Sequence, residues 1–382
     1  MDVIVVGLGA MGSSAAMHCA VRGARVFGFE QFGRGHALGS SSGKSRIIRQ
    51  AYYEDPAYVP LLQRAYELWR DLERRTSERI AHLVGVLIAG RAESPILRGT
   101  LAAAREYALD VDLLDAAQLR ARYPALCVGP EEVGLFERRG GVLVPETAVR
   151  ALQGVAEDAG AELHFNAAVK RWTSGRSGVE VSLEDGARVC ADALVLALGP
   201  WFEETMRVAG VPLRVQRNVQ VWFSPATTAF EATRFPAFLV DRASLPAPLY
   251  GTPDFGDGVK AAFHGYGPLT SAQMLDRSID QMRDVTPVAR ALEAWMPGAP
   301  AAYLDAASCL YSLTPDGNFV IDRDPENPNV VMCGGFSGHG FKFSSVVGEI
   351  AADLALDGET RHAIDFLRAD RFARSPKAAE DR

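Results

Sequence analysis

Three observations predict an α/β fold with two domains woven from alternating segments. The chain opens with a strand, a glycine turn, a helix and a second strand. Strand and helix pieces of the same kind recur in its middle and near its end. Strand-rich stretches lie between them.

Asp2–Val6 (DVIVV) is short, β-branched and bounded by glycine, so it reads as a buried strand. Gly7-Leu8-Gly9-Ala10-Met11-Gly12 follows as GxGxxG, then a helix over Ser13–Arg22 that Gly23 ends. Ala24–Phe29 is a second apolar strand closed by Glu30. Gly7 permits the tight turn, Gly9 lets the backbone approach a pyrophosphate, and Gly12 lets helix pack on strand. The helix N-terminus offers free N–H groups to phosphate. Glu30 stands where a carboxylate accepts from a ribose hydroxyl, which argues against a 2′-phosphate. Strand, glycines, helix, strand and acid in this order predict a dinucleotide site, with NAD and FAD both open.

Further along, Ala57–Arg75 carries apolar residues at helical spacing with charges between. Ala116–Tyr123 reads as a short helix, Pro145 begins a helix through Asp158, and Glu162–Phe165 is a strand. Asp185-Gly186 marks a hairpin. Ala191–Leu198 reads as a buried strand ending in Gly199-Pro200-Trp201. From Leu213 to Tyr266 several strands are expected. Thr286 is expected to cap a helix from Pro287 to Trp295. Phe319–Asp322 and Val330–Cys333 read as strands, Phe343–Leu356 as a helix, and the last ten residues as a frayed polar tail.

A chain of 382 residues supports two or three domains, and 48% apolar with 23% charged residues suits a globular core. A net charge of −7 lacks the basic footprint of a nucleic-acid binder. The best apolar runs, Leu83–Ala89 and Ala193–Leu198, fall well short of the ~18 residues of a membrane span. The chain enters a strand directly after Met1 with no secretory n-region, and its five cysteines are scattered without metal-ligand spacing. A cytoplasmic protein without a metal site is expected.

Four more blocks carry chemistry. Gly39–Arg49 (GSSSGKSRIIR) follows the second strand, and its two arginines, Arg46 and Arg49, suit an anionic group. Gly334–Lys342 (GGFSGHGFK) places four glycines and a histidine between a strand and a helix. Lys342 there opposes the helix dipole, and an anionic ligand would supply the reason. Cys309 lies in Ser308–Asp316, where in isolation it reads as a small buried hydrophobe. On a strand, Lys260, Ala262 and His264 share one face.

Together VVGLGAMGSS, SRIIRQAY, GPW after the middle strand, CLYSLTPDGNFVID and GGFSGHGFKFSS resemble the monomeric sarcosine oxidase family, which includes N-methyltryptophan and pipecolate oxidases, over nearly the whole chain. The resemblance implies a Rossmann-like FAD-binding domain (1–79, 144–209 and 316–382) interleaved with a substrate domain on a large, mostly antiparallel sheet (80–143 and 210–315). It implies a monomer that oxidises secondary amino acids, passes electrons to O₂ and makes H₂O₂. Cys309 would be joined to the flavin 8α-methyl, and Lys260 would sit over the flavin face to help O₂. Arg49 and Lys342 would hold the substrate carboxylate, with Tyr250, Tyr311 and His264 shaping the pocket and Arg46 beside the flavin. Cofactor contacts would come from Gly7, Gly9, Ala10, Met11, Gly12, Glu30, Ser41, Ser42, Val169, Gly199, Trp201, Gly338, His339, Gly340 and Phe341. Where the sarcosine and N-methyltryptophan enzymes carry two histidines, this chain has Ser41 and Ser42, a lean toward the serine-rich pipecolate branch. A flavin amine dehydrogenase, or a biosynthetic imine-forming oxidase of the same fold, is the alternative.

Overall fold

The computed structural model describes residues 1–175, 178–202 and 211–372. The tail expected to fray, 373–382, lies outside the described residues.

Six strands form the first sheet, in the order Val320–Arg323, Val330–Gly334, Ala193–Leu196, Asp2–Val6, Arg25–Glu30 and Glu162–Phe165. Neighbours run parallel except for the antiparallel outer pair Val320–Arg323 and Val330–Gly334. The run DVIVV is apolar at every position but the first because both faces are covered. Val3 and Val5 face the helices Ala10–Val21, Pro145–Asp158 and Ser344–Leu356. Ile4 and Val6 face a three-stranded antiparallel sheet, Val169–Gly175, Gly178–Leu183 and Arg188–Ala191. Where Ser344–Leu356 crosses Ala10–Val21, a Cβ on Gly348 would fall 2.1 Å from Ser14 Oγ, so glycine sets the closeness of that crossing.

A nine-stranded sheet forms the second body. Its long pair, Arg214–Ser224 and Ala302–Leu313, runs antiparallel, with Asn218 opposite Cys309 and Gln216 opposite Tyr311. Val259–Phe263, Leu249–Thr252, Ala237–Asp241, Val86–Arg91, Glu132–Glu137 and Val111–Leu114 continue it, with Leu269–Thr270 at the other edge. All these pairings are antiparallel except Ala237–Asp241 with Val86–Arg91. The helices Ala116–Arg122 and Thr286–Trp295 close one face over Phe223 and Phe238, with Trp295 packed on the Phe238 ring. A small sheet of Arg46–Ile48, Gly141–Leu143 and Ala81–His82 lies outside both. Among the described residues, no helix is long and apolar enough to cross a membrane.

Some elements shift from their expected bounds. The middle strand is Ala193–Leu196; Ala191 ends the preceding hairpin strand instead. The last long helix begins at Ser344, after a 3₁₀ turn over Phe341–Phe343. Thr286 does not cap its helix. Asp280 accepts from Arg283 N–H and caps a π turn over Gln281–Val285, and the helix continues from Thr286, whose hydroxyl donates back to Gln281 O. A longer turn recruited the earlier cap.

Candidate active site

A single cleft runs from the first glycine turn to the faces of Arg49 and Lys342, with walls from both large sheets. Its glycine end is built by close approach. Gly7 has φ +88°, and a Cβ there would sit 2.5 Å from Ala197 O. A Cβ on Gly12 would sit 1.8 Å from Gly7 O, so Gly12 seats the helix on the strand and is not itself on the cleft wall. Gly9, Ala10 and Met11 line the cleft at the helix start, where Ala10 N–H donates to Ser41 Oγ at 3.1 Å. Glu30 is buried. Its carboxylate accepts from Leu8 N–H (2.9 Å) and Phe32 N–H (3.1 Å), which fixes the glycine turn against the second strand. Val169, Gly199 and Trp201 complete this end of the wall.

The 39–46 loop crosses the cleft, and its backbone is held by charge. Arg46 donates to the carbonyls of Ser45 (2.8 Å), Ser40 (3.2 Å) and Ser42. Glu146 accepts from Gly43 and Lys44 N–H at 2.8 and 3.1 Å. Lys260 Nζ donates to Gly43 O (3.0 Å) and Ser45 O (2.6 Å). Ser41, Ser42 and Arg46 line the cleft; Lys260 does not. A buried ammonium needs oxygen partners, and the two loop carbonyls draw it behind the turn. Burial first, then Arg46, pushes the Lys260 ammonium well below its ordinary pKa.

Beyond the loop, Arg49 is buried. Its guanidinium grips both oxygens of Glu54, at 2.9 and 2.7 Å, donates to Ala51 O at 2.6 Å and lies over the rings of Tyr52 and Tyr53. Burial pushes the Glu54 carboxyl up, but Arg49, His339 and Lys342 pull it down to about 2. Buried Glu137 accepts from Gln50 and Ala51 N–H at 2.7 and 2.9 Å and so anchors the turn after Arg49.

The 334–342 loop supplies the facing wall with Gly338, His339, Gly340, Phe341 and Lys342. Gly338 has φ +82°, and a Cβ there would fall 2.2 Å from the Tyr311 ring. His339 Nε2 faces Gly317 O at 3.0 Å and so carries the proton; Nδ1 then accepts from Tyr52 OH at 2.6 Å. Burial holds His339 down at about 3 and His264 at about 4, so both are neutral at neutral pH. Lys342 Nζ donates to His339 O at 2.9 Å. Burial, then Arg49, brings its pKa down to about 7.

Tyr250, His264 and Tyr311 gather at one point on the wall. Tyr311 OH lies 3.4 Å from His264 Nδ1, and the Tyr250 and His264 rings meet edge to face at 6.1 Å. Burial, then Cys309, raises Tyr250 to about 12. Cys309 Sγ receives Gln220 Nε2–H at 3.3 Å. Ile47, Val86 and Leu239 add apolar side chains to the wall.

Glu54 and Gln220 are among the polar wall residues that escaped the sequence reading. Glu54 follows Arg49 by five residues, and this acid near a clamp arginine was the available signal. Gln220, a buried amide inside a strand of apolar neighbours, was another.

The donor set fits a flavin dinucleotide. Glycine backbone lies at a helix start beside a buried acid, and the same cleft continues past a thiol to two cations.

The sequence profile of the FAD dependent oxidoreductase family matches residues 2–354. The monomeric sarcosine oxidase of Streptomyces avermitilis is 42% identical over 381 residues, covering 98% of each chain. The N-methyl-L-tryptophan oxidase of Yersinia pestis is 33% identical over 374 residues, covering 97% of this chain and 99% of that one. Among solved structures, NikD, described as an unusual amino acid oxidase essential for nikkomycin biosynthesis, has a TM-score of 0.86 at 24% identity and covers 96% of both chains. The L-proline dehydrogenase of P. horikoshii has a TM-score of 0.85 at 22% identity, covering 98% of both. These two likenesses show the fold. The chain belongs to the FAD dependent oxidoreductase family, among relatives that include the monomeric sarcosine oxidases.

Proposed function

We propose that this member of the FAD dependent oxidoreductase family is an oxidase of secondary or N-methyl amino acids. The observation that carries the reading is the placement of Arg49 and Lys342, two buried cations, on the cleft that begins at the glycine turn. Paired cations in a dry wall suit a carboxylate. The apolar wall of Ile47, Val86 and Leu239 suits an N-methyl group or a saturated ring.

FAD, when bound, supplies the two-electron acceptor that takes hydride from the carbon beside the substrate nitrogen and delivers the electrons to O₂ as H₂O₂. Gly7, Gly9, Ala10, Met11 and Glu30 would hold its dinucleotide part, with Ser41, Ser42, Val169, Gly199, Trp201 and Gly338–Phe341 along its length. Cys309 would hold it covalently through Sγ, a reading supported by a thiol on the cleft wall. Arg49 and Lys342 fix the carboxylate and so orient the C–H bond. Neutral His264 and un-ionised Tyr250 and Tyr311 frame the amine without adding charge. Lys260, held on Gly43 O and Ser45 O, would lend positive potential to the cleft through the 43–45 turn, which would favour the negative charge that builds when O₂ is reduced. Segments 1–79, 144–209 and 316–382 carry the cofactor in this reading, and 80–143 with 210–315 the substrate; the division of strands between the two sheets supports it. Five unpaired cysteines suit a reducing cytoplasm, and the likeness to monomeric sarcosine oxidases supports a monomer.

Anaerobic mixing with sarcosine, N-methyl amino acids, L-proline, L-pipecolate and a primary amino acid tests this. Bleaching of the flavin by secondary amines is expected. Bleaching by the primary amino acid alone would refute it.

A further inference from the structure

Gln220 sits in the strand Arg214–Ser224, two residues from Asn218, which pairs with Cys309. That diagonal spacing puts its side chain beside the cysteine on one face. Its exposure is 2%, and it lines the cleft. Nε2 donates to Cys309 Sγ at 3.3 Å, while among the described residues Oε1 has no hydrogen-bond partner. Across from it stands Gly43, at φ +110°, where a Cβ would fall 2.3 Å from that Oε1. The loop glycine thus makes the space the carboxamide fills. Burying an amide with half its hydrogen bonds unmade is costly, and an aliphatic side chain would fill the same place more cheaply. The loop serines nearest the cleft do not take over the contact. Ser41 Oγ accepts from Ala10 N–H, and Ser42 Oγ donates to Ala37 O at 3.4 Å.

We propose that Gln220 is the positioning residue for attachment of the flavin to Cys309; this rests on the covalent reading above. An N–H aimed at sulfur occupies one lone pair and fixes the direction from which the other can attack. In the net step the S–H bond and one C–H bond of the flavin 8α-methyl break and an S–C bond forms. The two electrons and two protons released pass to O₂, giving H₂O₂ and leaving the flavin oxidised.

The test uses full-length protein made under riboflavin limitation, mixed with FAD and acid-precipitated over time, with flavin fluorescence read on denaturing gels. The absorbance change on thioether formation is followed in parallel. Gln220→Leu and the nearly isosteric Gln220→Glu are expected to bind FAD but attach it about tenfold more slowly or worse, the scale of one lost hydrogen bond that orients the sulfur. Gln220→His, which keeps an N–H donor, is expected to attach at close to the wild-type rate. If Gln220→Leu does not hold FAD, Gln220→Glu carries the comparison. Wild-type rates in the Leu and Glu variants, with none in Cys309→Ala, would overturn the role of Gln220 and leave the covalent reading standing. A wild-type protein that releases all its flavin would overturn both.

Discussion

Arg49 meets both carboxylate oxygens of Glu54, at 2.9 and 2.7 Å, inside a wall that also holds Lys342. The clamp arginine is therefore already engaged before a substrate arrives. An incoming carboxylate must share or displace Glu54. This pairing lets one wall bury three charged groups: Glu54 offsets two cations until a second carboxylate enters.

Arg49→Ala is expected to raise KM for carboxylate substrates by about 30-fold or more, since truncating one partner of a buried charge pair costs about 2 kcal/mol at least. Arg49→Lys keeps the charge but loses the fork, so its KM falls between the two. Steady-state kinetics on the best secondary amine checks the order. Equal KM values across the three proteins would remove Arg49 from the clamp.

Glu54→Gln has the opposite sign on binding. With its competitor neutral, Arg49 should bind a carboxylate inhibitor about tenfold more tightly, about 1.4 kcal/mol. The free protein should melt earlier, because Arg49 is left without its counter-charge, and the inhibitor should restore the loss. Titration and thermal melts with and without inhibitor read both effects.

Lys342 gives a pH dependence. Its pKa lies at about 7, lowered by burial and then by Arg49, so the ammonium is present below that value and lost above it. Affinity for a carboxylate inhibitor lacking an amine should therefore fall as pH rises through about 7. The groups facing it are settled at lower pH: Glu54 at about 2, His339 at about 3 and His264 at about 4. Arg49 stays charged, its pKa raised by Glu54 against the opposing effect of burial. In Lys342→Met the affinity should be lower and flat over the same range.

Lys260→Met separates the two half-reactions. Reoxidation of reduced flavin by O₂ should slow by about 100-fold, the scale of one lost electrostatic donor, while anaerobic reduction by substrate changes little. Stopped-flow absorbance measures each step. Equal slowing of both would assign Lys260 to holding the 43–45 turn through Gly43 O and Ser45 O and to nothing more.

The local elements were legible where short-range physics decides them. DVIVV is a strand because both faces are apolar, and Pro145 opens a helix because its missing N–H costs nothing at that position. Gly7 and Gly12 were readable because only glycine survives a backbone oxygen at 2.5 or 1.8 Å. Thr286 failed because a cap is a competition, and Asp280 offers a carboxylate one turn earlier. Lys260 was legible as sharing a strand face with His264, but not as buried behind the loop, a place that depends on carbonyls more than 200 residues distant in sequence. The Arg49–Glu54 grip and the Gln220 amide at Cys309 depend on tertiary packing, which no periodicity records.

The most direct measurement is peroxide production from a secondary amino acid compared with its own carboxamide. A buried pair of cations reading the carboxylate predicts rapid H₂O₂ release from the acid and, for the amide, a kcat/KM lower by about 100-fold or more. Comparable peroxide from acid and amide would contradict the clamp, and with it the assignment of this cleft to amino acids.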